Sequence, residues 1–401
     1  MKKFISLALC GLAFCSVSAQ QANVDQAKKL AGKTDKISEA RSLINQALQN
    51  PETANQAQTY YVAGKIEWDA FDKEAAKQLT NPDAVNPLDM ASQLLNGYNY
   101  FVQVFPLDVL PNEKGEVKPK FTKELQKKIS EKAPRFWEAG ANFFGAQQFY
   151  PEAYQAFMIY GDLPAQDFLG KQAPVVPDTL RAISYFNAGL SAWSANKVDE
   201  AADAFAKARE NNYQQPEACI YELACWQNIG LNDPSREKET VDKIYTVAKA
   251  GYDKFGMEQP VFLNNIVNTL LNKNQENDAL ATVNDAIANY PDKASLYGLR
   301  AFVYDRMNNE EAAEADYRKA VEMPGVDYET MKNAVTKFLR VGQEKWNNIE
   351  LGDPDIVNKK KDIKQNYFEV AKKYAEQAQS MTDNPDDMNY LIESIEYQLT
   401  L

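Results

Sequence analysis

The chain has 401 residues, a net charge of −12 and no histidine. The missing imidazole removes the usual general base, the usual proton shuttle and the commonest zinc ligand, which points away from catalysis. An acidic chain without a basic stripe also argues against nucleic acid and anionic membrane surfaces as partners. With 17 glycines among many Ala, Gln, Asn, Glu and Lys residues, the composition favours helix over sheet.

Residues 1–19 read as a cleaved signal peptide. Lys2 and Lys3 precede an apolar stretch, 4–14, too short to span a bilayer, and Val17 and Ala19 supply small residues before a cut at Gln20. Cys10 and Cys15 follow Leu9 and Phe14, where a lipid-attachment motif needs a small residue. Losing Lys2 and Lys3 takes the net charge from −12 to −14. No later segment has the ~18 apolar residues of a membrane span. The expected location is therefore periplasmic or secreted.

Beyond the signal, a helix around Tyr60, Ala63 and Gly64 is expected to pair with one carrying Leu94, Tyr98, Phe101 and a terminating Pro106, across an insertion at 79–87. Trp137, Gly140, Ala141 and Phe144 mark a further first helix, and Ala153, Phe157 and Tyr160 its partner. Next come Tyr185, Ala188, Gly189 and Ala192, answered by Ala201, Phe205 and Ala208. The segment 220–255 fits the spacing poorly, with Val241, Tyr245 and Ala248 in the second-helix places. Cys219 and Cys225 sit six residues apart on one helix, about 9 Å along its axis, and are expected to be free, packed thiols.

Then the spacing becomes regular. Leu263, Ile266, Val267 and Leu270 precede Ala279, Val283, Ala286 and Pro291, and 34 residues on Tyr297, Ala301 and Tyr304 precede Ala313, Tyr317 and Ala320, with Pro324 one residue early. A helix over 328–346, paired with one carrying Ala371, Ala375 and Ala378, forms a last hairpin across a connection at 347–363. The run Lys359 to Lys361 after Asp353 and Asp355 reads as a solvated helix start. A final helix over 386–401 puts Met388, Leu391, Ile392, Ile395 and Leu399 on one face, as a cap over the hairpin before it.

This spacing resembles the tetratricopeptide repeat, W-x2-L-G-x2-Y-x8-A-x3-F-x2-A-x4-P, most strongly over 181–211 and 260–324. Small residues let two antiparallel helices approach, and aromatic residues fill the gap to the next hairpin. The resemblance implies an all-α fold, an α-solenoid of antiparallel helix hairpins with a C-terminal capping helix. The expected organisation is a signal peptide over 1–19, divergent helical repeats with long loops over 20–180, repeats of this type over 181–385 and the cap over 386–401. The chain looks like an exported tetratricopeptide protein of a Gram-negative bacterium. The long connections 106–120 and 163–178 either serve function or pack against the array.

In such an array the first helix of each hairpin lines an inner groove. Side chains there that the packing pattern leaves unused are Phe186, Asn187, Leu190, Trp193 and Tyr221, followed by Asn264, Asn265, Asn268, Phe302 and Asp305. Amides can bind a peptide backbone through donor and acceptor, and rings can bind apolar side chains or sugar faces. The alternative is that Phe186, Leu190 and Trp193 pack under the loop 163–178. Some members of the family grip a ligand's terminal carboxylate with basic groove residues. Asn264, Asn268, Ser295 and Leu299 stand at those places here, without a positive charge.

No phosphate loop, nucleophile elbow or metal-ligand cysteine spacing occurs. The expected function is a non-catalytic, exported scaffold or adaptor with no cofactor and no metal, binding a protein or peptide along the groove. The alternative is a glycan-binding or nutrient-uptake accessory protein. Membrane contact, on this reading, takes the form of peripheral association with an outer-membrane complex.

Overall fold

The computed structural model describes residues 21–401 except 112, 113, 351 and 385; the expected signal segment lies outside the described residues. Every regular element among the described residues is helical, so the fold is the expected all-α helical repeat. The chain forms two compact units that divide between Arg236 and Glu237. The division falls inside 220–255, the stretch that fits the repeat spacing worst.

The first unit runs α1 (21–30), α2 (Ile37–Gln49), α3 (Ala57–Gln78), α4 (Pro87–Asp108), α5 (Thr122–Glu131), α6 (Ala133–Gly145), α7 (Tyr150–Asp162), α8 (Asp178–Ser194), α9 (Val198–Glu210) and α10 (Glu217–Asn232). Helices α3 and α4, α6 and α7, and α8 and α9 pack as hairpins. The reason is visible at Gly189, where a Cβ would lie 2.5 Å from the Phe205 ring. Only glycine lets α8 come that close to α9. Tyr185, Ala188, Ala192, Ala201, Phe205 and Ala208, the six other positions read from the spacing, are all buried.

In α6 the expected register is wrong by one residue. Phe136, Ala139, Gly140 and Phe143 face inward, while Ala141 is exposed and Trp137 and Phe144 are only partly covered. The turn explains it: ten residues separate Phe143 from Ala153, where nine separate Ala192 from Ala201. Trp137 instead lies edge-on to Phe157 and Tyr160, with ring centroids at 5.5 and 5.6 Å.

Pro106 does not end its helix, because α4 continues to Asp108. A proline in the last turn forfeits one backbone bond, and the extension carries Asp108 to a use of its own. Its carboxylate accepts from the backbone N–H groups of Lys120, Phe121 and Thr122, each at 2.9 Å, and from the Thr122 hydroxyl at 2.8 Å. That pins the far end of the loop at the start of α5, a helix that no repeat spacing anticipates. The connection 163–178 packs rather than hangs free. Leu163 and Leu169 are fully buried, Phe168 stacks on Phe105 at 4.5 Å, and the Gln126 amide donates to the Phe168 carbonyl at 2.7 Å.

The second unit runs α11 (Glu237–Phe255), α12 (Pro260–Asn272), α13 (Glu276–Asn289), α14 (Ala294–Arg306), α15 (Glu310–Glu322), α16 (Tyr328–Asn347), α17 (Ile356–Ile363), a π turn (Lys364–Phe368), α18 (Glu369–Gln379) and α19 (Asp386–Thr400). Leu263, Ile266, Val267, Leu270, Ala279, Val283 and Ala286 are all buried, as are Tyr297, Ala301, Ala313, Tyr317 and Ala320. The turns repeat as well. Asn274 and Asn308 have φ of 55° and 56°, matching Asn196 at 58° in the first unit, and asparagine tolerates that left-handed region better than most residues.

The expected connection 347–363 is shorter, because α17 already begins at Ile356. In the last hairpin Phe368, fully buried, takes the aromatic place against Gly342, ahead of the alanines read from sequence. The basic run lies on α17: the Lys359 ammonium pairs with Asp353, and that of Lys360 sits 4.4 Å from the Trp346 ring centroid. Helix α19 covers α18 with the expected face; Met388 and Ile395 are fully buried and Leu391, Ile392 and Leu399 partly so. The Lys364 ammonium also donates to the Leu399 carbonyl at 2.9 Å.

Candidate functional site

Within the first unit, α8 and α10 bring two of the sequence-derived positions together. Phe186 and Tyr221 stack with centroids 6.0 Å apart and planes 20° apart. The Phe186 ring also lies 4.5 Å from Tyr213, nearly parallel to it, and 5.6 Å from Phe205. Phe186 therefore packs against the α9–α10 junction and not under the loop 163–178. Tyr213 is the residue that sequence reasoning missed. It occupies the place of the repeat's proline, 28 residues after Tyr185, so an aromatic where proline belongs was the available signal. Burial pushes its hydroxyl pKa up, helped by Glu217 and Tyr221.

Trp193 is 43% exposed and Tyr221 40% exposed, both large for aromatic side chains of a packed array. Leu190 and Asn187, on α8 with Trp193, are half-buried, and the Asn187 carbonyl accepts from the Ser191 hydroxyl at 2.7 Å. Leu180 and Ile183, on the N-terminal half of the same helix, are 39% and 36% exposed. One helix thus offers a strip of apolar and aromatic surface that α9 does not cover.

In the second unit the other five positions take different fates. Asn264 and Asn268 are exposed on successive turns of α12. The Asn265 amide donates back to the Val261 carbonyl of its own helix at 2.8 Å. Phe302 is half-buried on α14. Asp305 belongs to an ion cluster: it and Glu310 hold the buried Lys337 ammonium, and Arg340 lies 3.6 Å from Asp305 and 3.1 Å from Glu310. Lys337 was invisible as a partner because it stands 32 residues further along.

Two polar clefts lie elsewhere, each between alternate helices with a third as floor. In the first unit α2 and α4 flank α3 around about 570 Å³, lined by Arg41, Asn45, Glu67, Asp89, Ser92, Asn96 and Tyr100 among others. Arg41 grips the buried Glu67 through two bonds of 2.8 and 2.6 Å. In the second unit α11 and α13 flank α12 around about 470 Å³. Here burial first, then Tyr290, Asp253 and Asp285, push the Tyr252 hydroxyl pKa upward.

Cys219 and Cys225 are buried and not joined by a disulfide, as expected from their spacing. Burial pushes the Cys225 thiol up to about 12, so it stays protonated and unreactive at neutral pH. Among the described residues, no group of three or more Cys, Asp or Glu is placed to hold a metal. Nor is any helix among them long and apolar enough to cross a membrane.

A family model described as tetratricopeptide repeat matches residues 294–325, which is the α14–α15 hairpin. Comparison with curated proteins finds no match. Among solved structures, the APC/C hetero-tetramer Cut9–Hcn1 is similar at 11% identity and a TM-score of 0.33, covering 89% of this chain. The chain spans only 59% of that protein's length. Yeast Tom70 is similar at 13% identity and a TM-score of 0.26, covering 96% of each chain. At such scores neither structure transfers a partner or an activity.

Proposed function

We propose that this chain is an exported, non-catalytic scaffold that binds a polypeptide partner on the uncovered strip of α8 and its neighbour Tyr221. One observation carries the reading: Trp193 and Tyr221 stay about two-fifths exposed, while Phe205 and the alanines of α8 and α9 read from the spacing are buried and Phe186 and Tyr213 are partly so. Aromatic residues of this kind anchor interfaces, since they bury large area at low entropic cost. The repeat spacing supports it, because stacked hairpins supply extended surfaces for partners. Export rests on the sequence of residues 1–20 alone.

The test is affinity capture from a native extract with wild type and with the double variant Trp193→Ala, Tyr221→Ala. The reading expects a specific protein retained by wild type and lost from a variant that keeps its helical content. Identical retained sets for the two proteins would defeat it.

A second reading, glycan binding, is favoured by the cleft of the first unit, where amides, a hydroxyl and carboxylates surround one ring, Tyr100. Glycan-array binding that disappears with Tyr100→Ala and survives Trp193→Ala would move the function there.

A further inference from the structure

The cleft between α11 and α13 has a composition that neither the repeat spacing nor the proposed α8 surface accounts for. Its floor is apolar, made by the buried Ile266 and Leu270 of α12. Along one wall stand Tyr245 and Tyr252, and along the other Asp278 and Asp285. Each pair is seven residues apart on its helix, so each repeats on the same face after about 10.5 Å. The space of about 470 Å³ around Tyr245, Asp278 and Asp285 continues into about 230 Å³ around Tyr252, with Tyr245, Thr282 and Asp285 common to both. The result is a trough that follows two turns of helix.

The charge in this trough is unbalanced. Asp253, Asp278 and Asp285 line it together with Lys249 and Lys273. Lys273 is already neutralised at 2.6 Å by Asp242, which lies outside the lining, and Lys249 lies 3.5 Å from Asp253. The carboxylates of Asp278 and Asp285 have no ion pair among the described residues. The nearby Thr282 hydroxyl and Asn289 amide donate to the backbone carbonyls of Asp278 and Asp285, not to their carboxylates, and both aspartates are exposed.

The chain itself shows how a cation sits here. The Lys273 ammonium, held by Asp242, lies 5.6 Å from the centroid of the Tyr245 ring. A carboxylate and a tyrosine face together form a seat that attracts a cation through charge and ring quadrupole at once. Tyr252 and Asp285 repeat those two ingredients two turns along, in the adjoining cavity that shares Tyr245, Thr282 and Asp285 with the first.

We propose that the α11–α13 trough binds a segment of another polypeptide that carries two Lys or Arg side chains about 10 Å apart. One cation enters between Asp285 and Tyr252, and the second meets Asp278. A segment in the polyproline II conformation meets that distance with basic residues at i and i+3, since three residues make one turn and each rises about 3.1 Å. The aliphatic stems of these side chains lie over Ile266 and Leu270, as long cationic side chains do on apolar surface. Charge complementarity selects this occupant over an acidic or purely apolar one.

The test is fluorescence anisotropy with the intact protein and a labelled twelve-residue peptide, Lys at i and i+3 in a Gly/Ser background. A peptide with Glu at both places serves as control. Saturable binding of the Lys peptide alone is expected, weakening at high salt and falling at least tenfold with the double variant Asp278→Asn, Asp285→Asn. Tyr252→Leu should weaken it several-fold. The variant Glu52→Gln, Asp83→Asn removes the same charge from exposed positions of the first unit and should leave binding unchanged, as should Trp193→Ala. No saturable binding overturns the proposal. So does an equal loss in both charge variants, which marks attraction to net charge, and so does Ca²⁺ alone displacing the peptide stoichiometrically, which marks a metal site. Because Trp193 lies outside the trough, the α8 reading can fail while this one stands, and the reverse.

Discussion

At the scale of single residues, the hairpins depend on how close two helices can come. Gly189 meets Phe205, itself 1% exposed, at a distance no Cβ can share. Gly189→Ala should therefore destabilise the protein by about 1–3 kcal/mol, the cost of an overpacked core, read as a shift of the urea midpoint. An unchanged midpoint would mean that the ring moves freely. The register of α8 was legible although Phe186 adjoins Tyr185, because Ala188, Gly189 and Ala192 fix it and the expected nine residues then lead to Ala201. In α6 the adjacent Phe136 and Trp137 both suit the first place, and only the length of the following turn decides between them. Cys225 gives a second check. With its thiol held protonated and buried, it should resist alkylation at neutral pH until the protein unfolds. Rapid labelling of native protein would contradict its placement.

At the scale of elements, ion pairs and caps hold pieces that the repeat spacing does not describe. Arg209 of α9 reaches Glu222 of α10, which is 1% exposed, through bonds of 2.7 and 3.2 Å. Burial pushes the Glu222 carboxyl pKa up, against the pull of Arg209. Arg209→Ala strands that group and should cost about 3–5 kcal/mol, measured by chemical denaturation. The loop after α4 depends on Asp108. Burial alone would raise its pKa, but the three backbone N–H groups and the Thr122 hydroxyl outweigh it and hold it below the usual carboxylate range. A depressed carboxylate contributes stability above its unfolded pKa and loses it as pH falls through the folded value. Acid should thus release the 109–121 loop before the rest of the first unit, seen as earlier proteolysis there at low pH. Simultaneous loss of the whole unit would contradict this. Asp108 was unreadable in the sequence because three of its four donors are backbone groups, which leave no side-chain pattern.

At the scale of the whole molecule, the all-α repeat was legible because its period is written in side-chain size, and size survives divergence better than identity. The candidate surface was legible only in part. Phe186 and Tyr221 meet, but Asp305 belongs to a cluster with Lys337, and Asn265 is tied to its own helix. Long-range pairing of that kind has no period to read. The proposed export predicts that mass spectrometry of the native protein finds an N-terminus at Gln20; an N-terminus at Met1 would refute it.

The central claim is that a polypeptide sits on α8 beside Tyr221. The most direct measurement places a photo-crosslinking residue at Trp193, at Tyr221 and, as control, at the exposed Lys114, and irradiates living cells. The account predicts one discrete protein adduct from Trp193 and Tyr221 and none from Lys114. No adduct at either aromatic position, or the same adducts at all three, would contradict it.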